Sequence, residues 1–63
     1  MQFALYLYGR LSVKTYHLHE IFSAIDFLCL DLAFIAECLI ENHEYHYVDE
    51  HDNRIADIFV ISG

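Results

Sequence analysis

The chain has 63 residues, 57% of them hydrophobic, with five Tyr, five Phe, two Gly, two Cys, no Pro and a net charge of −7. One domain fits that length, read over residues 1–63, and a chain this short buries only about 60% of its unfolded surface, so a second chain is the expected supplement. Arg10, Lys14 and Arg54 are its three bases, which argues against direct nucleic-acid binding through a basic stripe. The apolar, glycine-poor composition argues against disorder.

Phe3 to Tyr8 alternates in a short apolar run bounded by Gly9, the signature of a strand. Phe3, Leu5 and Leu7 fall on one face, and Ala4, Tyr6 and Tyr8 on the other. Both faces are apolar, as in a central strand covered on both sides. No basic segment precedes Phe3 and no small-residue cleavage site follows, so a signal peptide is not expected. Arg10 to Tyr16 reads as a loop or short extended segment: Val13 to Tyr16 has the composition of a short edge strand, and Ser12 or Thr15 is equally placed to cap the helix that follows.

One long helix is expected from about His17–His19 to Glu41. At 100° per residue, Ile21, Ile25, Leu28, Leu32, Ile35 and Leu39 make a continuous stripe for packing on a sheet. Glu20, Ser23, Asp26, Asp31, Glu37 and Glu41 lie opposite. Between those charges Phe27, Leu30, Phe34 and Cys38 follow the i, i+3, i+4, i+7 spacing of a second contact seam. The stripe needs the sheet, so the seam needs a partner, most simply another copy: these four residues are the candidate oligomer interface. The segment is long enough to suggest a membrane span. Asp26, Asp31 and Glu37 interrupt it, however, and a central Asp costs roughly 2.5–3.5 kcal/mol on insertion, so no membrane partner is expected. Cys29 and Cys38, nine residues apart on one helix, would stand about 13.5 Å apart along its axis and on opposite sides. They read as reduced, buried small hydrophobes in a cytoplasmic protein rather than a disulfide. Asn42 is a suitable helix stop.

Glu44 to Asp49 and Arg54 to Ile61 read as two strands of a hairpin around Glu50–Asn53, with Asn53 at positive φ. In the second strand Ala56, Ile58 and Val60 are uninterrupted and should face the helix. Asp57 breaks the opposite set of Ile55, Phe59 and Ile61. The expected fold is α+β in the order β-α-β-β, a three-stranded, largely antiparallel sheet with one long helix on one face.

Motifs for chemistry are lacking. Ser12 and Ser23 have no nucleophile-elbow context, neither Cys has a neighbouring base, and two glycines make no phosphate loop. Asp26 and Asp31 sit about 140° apart on a helix, which is not a facing carboxylate pair. Five histidines invite a metal reading, but His17 and His19 lie at one helix end and His43, His46 and His51 beyond the other; surface histidines near turns explain them more simply. Tyr6, Tyr8, Tyr45 and Tyr47 suit sheet packing better than a small-molecule groove. No catalytic residue, metal or cofactor is therefore expected. The sequence reads as a small, acidic, non-enzymatic interaction module or regulator, self-associating and binding another protein; its size, acidity and lack of motifs are what suggest a phage or mobile-element product. Two alternatives remain. An acidic decoy could imitate nucleic acid to inhibit a nucleic-acid-binding protein, or the histidines could bind a metal.

Overall fold

Arg10 to Thr15 takes the extended alternative, over a longer run than Val13 to Tyr16, and pairs with the first strand. In the computed structural model, which describes residues 1–61, β1 (Gln2–Leu7) turns at Tyr8–Gly9 into β2 (Arg10–Thr15). The last two positions of the domain expected over 1–63 lie outside the described residues. Leu7 pairs directly with Arg10, and both turn residues have positive φ, 53° and 81°. That is the type I′ pattern, whose twist matches the strands it joins. The expected three strands become four, and all pairings are antiparallel in the order β2-β1-β4-β3.

Thr15 ends β2 and starts the helical layer. Its hydroxyl accepts from His17 N at 3.1 Å and donates to Glu20 Oε2 at 2.8 Å, so one side chain closes both sides of the corner. The expected long helix is broken. α1 (Leu18–Ala24) is followed by a 3-10 turn at Asp26–Leu28, a left-handed Cys29 with φ 54°, and α2 (Leu32–Asn42). Asp31 caps α2 by accepting from Phe34 N at 3.2 Å. Geometry explains the break. A straight helix from Glu20 to Glu41 would run about 33 Å, whereas a strand of six to eight residues spans only about 20–26 Å. Folding back places α1 against β1 and β2 and α2 against β3 and β4. Each hairpin thus carries one helix.

The stripe read from the sequence survives the break. Ile21, Ile25, Ile35 and Leu39 are buried against Phe3, Leu5, Ala56 and Ile58, with Leu28 and Leu32 half-buried at its middle, where the chain turns. Ala56 and Ile58 face the helices as expected, and Val60 packs beside them. α2 stops at Asn42, with His43 supplying the left-handed residue at φ 62°.

β3 (Glu44–Val48) and β4 (Arg54–Ile61) form the expected hairpin. Asp49 organises its loop. Its Oδ1 accepts from His51 N at 2.8 Å and Asn53 N at 2.9 Å, while Asp52, not Asn53, takes positive φ at 65°. The hydrogen bond from the Asn53 backbone, more than the opposing loss of solvent, holds the Asp49 carboxyl below its ordinary value of 3.8; the His51 backbone and the Asn53 side chain add to the effect.

Two predictions follow from this packing. Ile35→Ala should cost about 2–5 kcal/mol, as for a fully buried aliphatic side chain, and Leu28→Ala or Leu32→Ala distinctly less. Urea unfolding will rank them, and equal losses at all three would place the helical break elsewhere. Asp49→Ala should lower the melting temperature at neutral pH. Because the folded-state pKa is depressed, the native chain binds fewer protons than the unfolded one near that value. The stabilisation is complete above 3.8 and fades as pH falls through the lower folded value. The gap between wild type and variant should therefore close under acid.

Candidate functional site

Two helices cover one face of the sheet and leave the other without a layer, so β1 is central but covered on one side only. Residues directly opposed across antiparallel strands share a face, and the register therefore lays out the bare surface row by row. Lys14, Ala4, Phe59 and Glu44 form one row across all four strands; Leu11, Tyr6, Asp57 and His46 form the next. Ala4, Tyr6, Gly9, Asp57, Phe59 and Ile61 line a shallow depression of about 380 Å³ on this face.

At its centre is a polar pair that β4's alternation places outward. Asp57 is only 7% exposed, and its Oδ1 lies 2.7 Å from His46 Nδ1 and 3.6 Å from an Arg54 guanidinium nitrogen. His46 Nε2 faces Glu44 Oε1 at 3.4 Å. A neutral imidazole can donate from one nitrogen only, and only the imidazolium donates to both carboxylates. Phe59 packs edge-on between the Tyr6 ring at 5.8 Å and the His46 ring at 5.5 Å, so an aromatic row spans β1, β4 and β3. The hydrogen bond to Asp57 fixes the ring on the face, and the half-exposed Glu44 lies beside its second nitrogen. Strand parity could have revealed the pair, since Asp57 was the one charge on an otherwise apolar strand face and His46 lies beside it in the hairpin register.

The residues singled out in the sequence are dispersed differently. Phe27 lies in the 3-10 turn, 60% exposed, and Phe34 on the first turn of α2, 54% exposed; Leu30 is half-buried between them and Cys38 half-buried on α2. With the helix broken at Cys29, the four no longer form one regular seam. The aromatic contact of Phe34 is with Tyr45, edge-on at 6.3 Å. Burial raises the Tyr45 phenol above its ordinary pKa of 10.0, with neighbouring Cys38, Tyr47 and Asp31 adding to the rise. Cys29, expected to be buried, is exposed because the turn points it outward; both cysteines are free. Tyr6 and Tyr8 do not meet Tyr45 and Tyr47. Tyr6 is on the bare face, Tyr8 is exposed at a turn, and the other two pack against the core. Among the described residues, no three potential metal ligands converge, and no helix is long and apolar enough to cross a membrane.

Asp57→Ala should destabilise the fold by about 1–3 kcal/mol, because it leaves the ring it holds without its partner. A double-mutant cycle with His46→Ala, read by urea unfolding, should show a coupling above about 0.5 kcal/mol. Strict additivity would mean the two groups ignore each other.

No known protein family matches this chain, and neither a characterised protein nor a solved structure matches it. What it does must be read from its own surfaces.

Proposed function

We propose that the chain is a non-enzymatic protein-interaction module that works as a homo-oligomer and binds another protein. The observation that carries this reading is apolar surface left open on both sides of a two-layer fold. On the sheet side Tyr6, Phe59 and Ile61 have no covering layer. On the helical side Phe27, Phe34 and Ile40 are more than half exposed. Large exposed apolar groups framed by polar residues mark contact surfaces in soluble proteins.

The two sides suit different occupants. Asp26, Asp31, Glu37 and Glu41 are all exposed around the helical patch, so a second acidic copy seated there would meet like charges. The Phe27, Leu30, Phe34 and Cys38 surface is better suited to a partner that offers apolar side chains within a basic rim. The same acidic frame supports the second reading, an acidic decoy that occupies a nucleic-acid-binding protein. The exposed acids Glu50 and Asp52 in the β3–β4 loop extend the charge.

Affinity capture from the native host, comparing wild type with Phe27→Ser/Phe34→Ser, tests the module. Both side chains are exposed, so the double variant should unfold within a few degrees of wild type. It should lose at least about tenfold in affinity for the captured protein, a loss usual for two apolar anchors. Equal retention by both proteins would overturn the assignment of this surface. Capture of a nucleic-acid-binding protein that is released by salt would select the decoy reading.

A further inference from the structure

We propose that the bare face of the sheet is the seat of a second copy of this chain, docked sheet on sheet about a two-fold axis that runs along the strands between β1 and β4. This deepens the self-associating part of the function proposed above and rests on it. Three features of the face carry it.

The first is charge. Lys14, Arg54, Glu44 and Asp57 cancel on or beside this face, so the whole excess of −7 lies elsewhere on the chain. A second acidic copy can approach here without opposing a charge of its own sign.

The second is the order of strands. In β2-β1-β4-β3 the two central strands are β1 and β4, and the two edges are β2 and β3. A two-fold axis along the strands lays β2 over the partner's β3 and β1 over its β4, with no shift along the strand direction. Each row then meets the same row reversed. Lys14 comes over Glu44 of the other copy, and by symmetry the contact is made twice, as an isologous interface requires. The small Ala4 comes over Phe59, a large side chain over the depression in the opposing face. Tyr6 comes over Asp57, where its phenol can donate to a carboxylate already held by His46. That added bond matters, because closing a second sheet over Asp57 removes what solvent it has left. The remaining contact in that row places Leu11 over the His46 ring.

The third is what other arrangements would do. A two-fold axis across the strands lays each strand over its own copy and reverses the rows. Phe59 would then cover the Asp57 carboxylate, and Lys14 would face Leu11. That arrangement also sets Ala4 over Tyr6 and Glu44 over His46. It nevertheless seals the Asp57 carboxylate under an apolar ring and gives Lys14 no acidic partner, whereas the axis along the strands gives both a polar partner. Sheets packed this way lie about 10 Å apart with strands within about 30° of each other.

The test uses Lys14→Glu and Glu44→Lys, both at exposed edge positions, and sedimentation across a range of concentrations. Wild type should run at twice the 7.4 kDa chain mass. Each single reversal creates two like-charge contacts and should weaken the dimer by about tenfold or more. The variant carrying both changes should recover to within about threefold of wild type. Mixing the two single variants should also restore dimers, because a heterodimer re-forms both opposite-charge contacts; recovery on mixing also shows that each variant is folded. Wild type that stays monomeric overturns this proposal and the self-associating part of the function together. A wild-type dimer indifferent to both reversals places self-association on another face and overturns this proposal alone. Weakening by the single changes without recovery on mixing overturns the two-fold axis proposed here.

Discussion

The structure depends on the pairing of β1 with β4. These strands come from opposite ends of the described chain, yet they run side by side from Gln2–Ile61 to Leu7–Ala56 without a bulge. Each hairpin alone is marginal in water, since two strands cannot cover an apolar face. Joined through β1 and β4, they make one surface broad enough to bury Ile21, Ile25, Ile35 and Leu39. The helices then serve as covers, one for each hairpin. Two short helices meet that requirement where one long helix would overhang, and this explains why a sequence with unbroken helical periodicity breaks at Cys29.

That break marks the limit of what the sequence made legible. Apolar residues continue at helical spacing through Ile25, Leu28 and Leu32, and neither Gly nor Pro interrupts them. The local signal was Asp31, an N-cap residue type three positions before Phe34, and it is easily taken for one more surface charge. β2 was only half legible, as the edge-strand alternative at Val13 to Tyr16, for a related reason. Its burial is almost entirely at Val13 and Thr15, because an edge strand under one end of a helix needs little apolar alternation. Its turn is Tyr-Gly, which lacks the Asn-Gly or Asp-Gly that usually announces a type I′ hairpin. The β3–β4 hairpin was legible because Asp49 and Asn53 carry strong turn chemistry and Ala56, Ile58 and Val60 alternate cleanly. The His46–Asp57 pair was half legible: strand parity predicts an outward Asp57, but its partner emerges only from the register between two strands.

Tyr8, Cys29 and Asp52 show how the chain tolerates this economy of glycine. Each takes positive φ at a cost of about 1–2 kcal/mol for an ordinary residue, less for Asp. Gly9 alone has the residue type its φ of 81° favours. The strain is borne by the packing it permits. Tyr8 N donates to Ile55 O at 2.9 Å, tying the first turn to β4, and Cys29 N donates to Asp26 O at 3.1 Å, closing the helical break. Strain at both points therefore supports the same β1–β4 junction and the helices laid over it.

The uneven distribution of charge gives the two faces different physics. On the sheet, two bases and two acids cancel and the central carboxylate is held by an imidazole, so that carboxylate can lose water without becoming a bare charge. On the helical side Asp26, Asp31, Glu37 and Glu41 are exposed around Phe27 and Phe34, and their like charges oppose the approach of any other acidic surface. A chain too small to bury both faces of its sheet has kept one neutral and one strongly acidic. On the reading proposed above, neutrality permits close packing of like on like, and acidity restricts the other surface to partners that bring positive charge. The division follows from where the bases lie: Arg10 and Lys14 are on β2 and Arg54 is on β4, so the helices carry no Lys or Arg.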